Sequence, residues 1–206
     1  GNGQEVDLMD YTQALKPADW NMKSPNIKAY TDQASLATQA HVQYAAFNAW
    51  WTIIQTYLNT PNDANWAAVE AVLDKNAMID YVVFSEAVWN SDGVNDNYIL
   101  LSWDGKVFVP NTYDMDLTFG NNSSDTPPDT TTQPLLMSRD PFWAMVYTNW
   151  MPEVKARYKF LRDTGIISTK ALTDDARQLS GMMNRNAKMR NFAAWGGRGG
   201  YQTEGP

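Results

Sequence analysis

The residues whose types and spacing could do chemistry lie in one stretch, Asn90 to Asn122, "NSDGVNDNYILLSWDGKVFVPNTYDMDLTFGNN". Asp92 and Asn97 stand in D-x-x-x-x-N spacing ahead of a hairpin-like segment, and Asp114 and Asp116 follow it. A surface turn needs no such symmetry. Phosphoryl transfer uses it: one aspartate orients the acceptor hydroxyl, an amide holds a metal ion, and a second aspartate returns beside them. An antiparallel up-and-back path closes on its starting edge, so Asp114 and Asp116 are expected at the same end of the hairpin as Asp92 and Asn97. Hard oxygen donors converging there suit Mg²⁺ or Mn²⁺, which draws charge from phosphates during transfer. The plainer alternative is also open, because Asn90, Ser91, Asp92, Gly93, Asn95, Asp96 and Asn97 are all turn formers and by themselves describe a solvated loop.

The elements that must position these residues can be read from periodicity. From Thr31 to Leu58 the apolar residues Leu36, Ala40, Tyr44, Phe47, Trp51, Ile54 and Leu58 recur at steps of three and four, predicting a long helix with one buried face. Pro61, Asn62 and Asp63 supply a turn and a cap for a short helix through Trp66, Val69 and Leu73. "AMIDYVVFSEAVW", from Ala77 to Trp89, is apolar on nearly all sides and predicts a helix that crosses the interior and stops at Asn90. Two β-rich runs follow, "YILL" and "KVFVP", joined by "SWDG", whose Asp104-Gly105 pair signals a hairpin turn. Pro110 and Asn111 are expected to end the second strand. The stretch from Asn121 to Pro134 reads as an exposed loop. Helices are expected again near Pro141 to Tyr147, Pro152 to Asp163 and Ser168 to Trp195, the last with Ser168 and Thr173 as candidate caps. The fold class is therefore α+β, predominantly helical, with one central β-hairpin. The expected organisation is an N-terminal extended segment over residues 1–30, a helical lobe over 31–195 and a flexible tail over 196–206.

Composition narrows the function. With 206 residues and 44% apolar side chains the chain can bury a substantial core. A net charge of −7 argues against nucleic acid as a partner, which needs a basic stripe. There is no cysteine and a single histidine, His41, which excludes thiolate metal sites and histidine clusters; His41 is expected on the flank of the first helix. No apolar run approaches the length of a membrane span. The start, "GNGQEVDLMDYTQ", lacks the layout of a signal peptide and reads as a cut edge. The basic set Lys155, Arg157, Lys159, Arg162, Arg185, Lys188 and Arg190 reads as a solvated helical face. Trp20, Trp103 and Trp195 are the tryptophans expected to be exposed enough to meet a partner.

The quoted motifs resemble a known family. "FSEAVWNSDGVNDNYILL" and "DGKVFVPNTYDMDLTFG" are similar to the CotH-type (spore-coat protein H) atypical protein kinases, in which a helix ends at an N-x-D loop, a D-x-x-x-x-N motif follows, and a D-x-D-x-x-F-G segment comes after the hairpin. The likeness continues in "PLLMSRDPFWAMVYTNWMPEVKARYKFLR" and "MMNRNAKMRNFAAW", so that it spans Ser35 to Trp195. It implies a kinase-like C-terminal lobe that transfers the γ-phosphate of ATP to protein serine or threonine with Mg²⁺ or Mn²⁺. Asp92 would be the catalytic aspartate, Asn97 and Asp114 would hold nucleotide and metal, and Asp116 would be a second metal ligand or an orienting neighbour. A cell-surface, spore-coat or virion-associated setting is expected over a plain cytoplasmic one.

Two other readings stay beside it. Kinases also need a loop over the phosphates and a strand-borne lysine paired with a helical glutamate. After Gly3 the next glycine is Gly93, and nothing before Asp92 resembles those parts. They would belong to an upstream domain of the same polypeptide; otherwise the chain is a kinase-derived structural or interaction module that binds assembly partners. Separately, "DMDLT" fits the D-x-D-x-T opening of haloacid-dehalogenase-type phosphatases, which requires Asp114 at the end of an apolar strand in a parallel sheet.

Overall fold

A computed structural model of the chain describes residues 42–94, 97–115, 117–119, 136–182, 184–186 and 189–190. The expectations placed on His41, Trp20, Trp195, Asp116, the loop 121–134, the N-terminal segment and the C-terminal tail fall outside the described residues. Within them the order is α1 (Val42–Asn59), α2 (Asp63–Glu70), α3 (Lys75–Val88), a 3₁₀ turn Asp92–Val94, β1 (Tyr98–Leu101), β2 (Val109–Thr112), a 3₁₀ turn Leu136–Arg139, α4 (Pro141–Asn149), α5 (Met151–Asp163) and α6 (Thr169–Met182). The fold is α+β and predominantly helical, with one two-stranded antiparallel sheet among the described residues.

The helices begin where side chains replace the missing hydrogen-bond partners of the first turn. Asn62 accepts from Asn65 N–H at 2.9 Å, Asp74 from Ala77 N–H at 3.0 Å, and Asp140 from Trp143 N–H at 2.9 Å, with Pro141 just inside α4. The Ser168 hydroxyl accepts from Ala171 N–H at 3.1 Å and starts α6, whereas Thr173 lies inside that helix and caps nothing. The cap at Asp74 also moves the start of α3 to Lys75, before the expected Ala77. Of the helix expected to run to Trp195, α6 covers Thr169–Met182, residues 185–186 and 189–190 are again helical, and 191–195 fall outside the described residues.

The core is aromatic. Trp50 is 2% exposed and its ring lies 5.6 Å from Phe47, 4.8 Å from Phe108 and 5.9 Å from Phe142, so α1, the hairpin and α4 meet on one indole. From α3, Met78, Ile79, Tyr81, Val82, Val83, Ser85 and Val88 are buried, which gives it the expected interior course.

The hairpin differs from expectation in its second strand. β1 pairs with β2 from Tyr98↔Thr112 to Leu101↔Val109, so β2 begins three residues after Lys106 and includes Pro110 and Asn111 rather than ending at them. The reason is Phe108. Its N–H donates to Val72 C=O and its C=O accepts from Asp74 N–H, both at 3.0 Å, in a parallel bridge with Leu73 that draws the ring into the core. The intervening loop is held by Asp104, whose Oδ1 accepts from Lys106 N–H at 2.8 Å and Val107 N–H at 3.0 Å, with Gly105 at φ +70°. These bonds hold the Asp104 carboxyl below its usual range. Trp103, at this tip, is 94% exposed, as expected.

Candidate functional site

The site is built at the C-terminal end of α3. Trp89 takes a left-handed conformation (φ 54°), Trp89 N–H donates to Glu86 C=O and Asn90 N–H donates to Ser85 C=O at 2.8 Å. This 5→2, 6→1 pair is the Schellman ending of a helix, made here without glycine. The turn sends the chain directly into Asp92.

Asp92 and Asn97 are joined twice. Asn97 N–H donates to Asp92 C=O at 3.0 Å, and Asn97 Nδ2 donates to Asp92 Oδ2 at 2.5 Å. Asn97 is 8% exposed, so this charge-assisted contact sits where water competes little with it. Pairing of Tyr98 with Thr112 then brings the residues after β2 back beside Asn97, whose Nδ2 lies 3.4 Å from the Asp114 carbonyl oxygen. Asp114 has φ 45° and an exposed side chain; aspartate is one of the few residues that tolerates this left-handed region. Beyond it, the Thr118 hydroxyl donates to Met115 C=O at 2.9 Å and Phe119 N–H donates to Val88 C=O at 2.6 Å, tying the strand exit to the end of α3. The structure thus brings the Asp92 and Asn97 side chains together with the Asp114 backbone, and Asp116 lies outside the described residues.

These residues fit a divalent cation by their donor chemistry. Two carboxylates and an amide oxygen are hard ligands, and Mg²⁺ characteristically takes one or two carboxylates from protein and the rest from phosphate and water. Among the described residues no three His, Cys, Asp or Glu side chains converge, so the set depends on Asn97 as its third donor.

Behind the site lies a shell that periodicity did not single out. The Tyr81 hydroxyl donates to Gly93 C=O at 2.5 Å, and Asn90 Oδ1 accepts from Gly93 N–H at 3.2 Å. Burial pushes the Tyr81 phenol far above its usual range, with the Ser85 hydroxyl opposing the shift, so it stays protonated and remains a donor. Glu86 accepts from Met137 N–H at 2.9 Å; burial raises its carboxyl, and the Met137 and Leu136 N–H groups and the Arg139 charge oppose this. Tyr81 reads as core in an apolar helix and Asn90 as a turn former, so neither carries a sequence signal of its own.

Other candidates are placed elsewhere. Lys75 pairs with Glu153 at 2.7 Å and lies near Glu70 at 3.8 Å, but it opens α3 while the site closes it, about 20 Å away at 1.5 Å per residue. It is not a lysine for this site. Of the basic set, Arg157 pairs with Asp80 at 2.6 Å and Lys159 with Asp163 at 2.5 Å, which are surface ion pairs. The phosphatase reading needs a parallel sheet ending at Asp114; β2 is instead half of an antiparallel pair.

The comparison with families covers nearly the whole chain: residues 3–204 match the CotH kinase protein family. This chain belongs to the CotH kinase family. No curated protein matches it, and no solved structure does. In this CotH-family chain the D-x-x-x-x-N pair and the returning aspartate occupy one end of the hairpin, and the N-x-D turn that precedes them is the Schellman ending of α3. Among the described residues no helix is long and apolar enough to cross a membrane.

Proposed function

We propose that this CotH-family chain is the helix-rich lobe of an atypical protein kinase that moves the γ-phosphate of ATP to a protein serine or threonine. One observation carries the reading: Asn97 is bonded to Asp92 on one side and meets the Asp114 backbone on the other. Asp92 orients the acceptor hydroxyl and receives its proton as that oxygen bonds to the γ-phosphorus and the bond to the ADP oxygen breaks. Asn97 and Asp114 would hold Mg²⁺ or Mn²⁺, with Asp116 as a second ligand or an orienting neighbour. The bound cation supplies charge neutralisation on the phosphates. Asn97 Nδ2 fixes the Asp92 carboxylate in one direction, and positioning of this kind, together with electrostatic stabilisation, supplies nearly all of the catalysis in phosphoryl transfer.

The grip on the β- and γ-phosphates is assigned to an upstream domain of the same polypeptide, and without it the lobe should turn ATP over barely at all. The acceptor is a protein serine or threonine, and a coat setting is in keeping with the family's name. The test incubates the parent polypeptide with labelled ATP and Mg²⁺ or Mn²⁺. Metal-dependent incorporation into protein, abolished by Asp92→Asn and by Asp114→Asn with folding intact, is the expected result. If the wild-type polypeptide labels neither itself nor copurifying proteins, the chain is a kinase-derived structural module.

A further inference from the structure

Gly93, the residue after Asp92, is held through both of its backbone polar groups by buried side chains from outside the turn that it forms. Its carbonyl oxygen accepts from the Tyr81 hydroxyl at 2.5 Å and its N–H donates to Asn90 Oδ1 at 3.2 Å. Tyr81 is 5% exposed and Asn90 fully buried. The Tyr81 ring is itself fixed, stacked on Trp143 with centroids 4.6 Å apart and planes at 13°, and Trp143 is fully buried in α4. Gly93 has no left-handed φ, so glycine is required here by space: a Cβ would fall inside the Asn90 amide, 2.5 Å from its Cγ.

We infer that Tyr81 and Asn90 are positioning residues that clamp the Gly93 peptide and thereby set the direction of the Asp92 carboxylate; the catalytic part of this inference rests on the kinase reading above. Both residues are buried behind the turn and act through its backbone. Each side chain supplies what a flexible loop lacks, a fixed partner backed by the core. A short aspartate-bearing turn held only by its own backbone would sample several directions, and misplacement of a catalytic group by about 1 Å can cost about 100-fold in rate.

The test compares Tyr81→Phe, which keeps the stack on Trp143 and removes one hydroxyl, with Asn90→Ala and with Ile54→Val, a core change away from the turn. Amide hydrogen exchange is measured at Gly93 and Asn97, and phosphate transfer is measured in the parent polypeptide. Tyr81→Phe and Asn90→Ala should speed exchange at these two amides beyond what Ile54→Val does at matched stability. They should also lower kcat by about 10- to 100-fold while leaving KM for ATP in place, and in an Asp92→Asn background Tyr81→Phe should add no further loss. Exchange no faster than in Ile54→Val overturns the clamp. Faster exchange with unchanged kcat overturns its effect on Asp92. Faster exchange in a polypeptide whose wild type transfers no phosphate upholds the clamp and rejects the kinase reading alone.

Discussion

A single methyl group is a sharp probe of the site. Gly93→Ala would set its Cβ 1.9 Å from Nδ2 and 2.5 Å from Cγ of Asn90, a side-chain end that full burial keeps from swinging aside. Overpacking of this kind costs about 1–3 kcal/mol, and the expected outcome is a lower urea midpoint together with loss of any Asp92-dependent activity. In an Asn90→Ala background the same substitution should cost less, because the atoms it strikes are gone; a double-mutant cycle measures that coupling. That Asp92, Asn97 and Asp114 lie at one end of the hairpin was legible in the sequence because their spacing is tied to its path. Tyr81 was not. Its contribution depends on a hydrogen bond to a backbone carbonyl across a turn, and in sequence it is one more aromatic residue among the apolar positions of α3.

At the scale of elements, the start of α4 carries an unusual cap. Asp140 is fully buried, its Oδ1 accepts from Trp143 N–H, and its Oδ2 has no hydrogen-bond partner. Burial, opposed by the Trp143 and Phe142 N–H groups, pushes its carboxyl up from the ordinary 3.8 to about 7. Between those limits the folded state keeps a proton that the unfolded chain has released, so stability from the neutral carboxyl is full below pH 3.8 and is lost as pH rises through about 7. Asp140→Asn retains a capping oxygen without the charge. Its urea midpoint should exceed the wild-type value at pH 8, and the difference should close toward pH 4; a difference of constant size across that range would contradict the burial argument. The positions of the helices were legible because α1 follows apolar periodicity, α3 is apolar on nearly all sides, and Asn62 and Ser168 are evident caps. The start of β2 was not, since the pull of Leu73 on Phe108 is a contact between distant segments and leaves no mark on the local pattern "KVFVP".

Over the whole molecule, Trp50 joins parts of the chain that the sequence keeps far apart. Trp50→Ala removes the ring that meets Phe47, Phe108 and Phe142, at about 3–5 kcal/mol, from a domain whose total stability is of the order of 5–15 kcal/mol. It should leave the chain partly unfolded at room temperature by circular dichroism, whereas Trp50→Phe should fold with a lowered midpoint. The antiparallel pair has only four residues in each strand, and an isolated hairpin of that size is marginal in water, so the site depends on this shared core. The stack of Tyr81 on Trp143 adds an order in time. As the chain leaves the ribosome, Asp92, Asn97 and Asp114 emerge before the indole that holds Tyr81 in place, and a nascent chain still lacking α4 has the motif without the geometry. The stacked support behind the turn can therefore form only once α4 has docked.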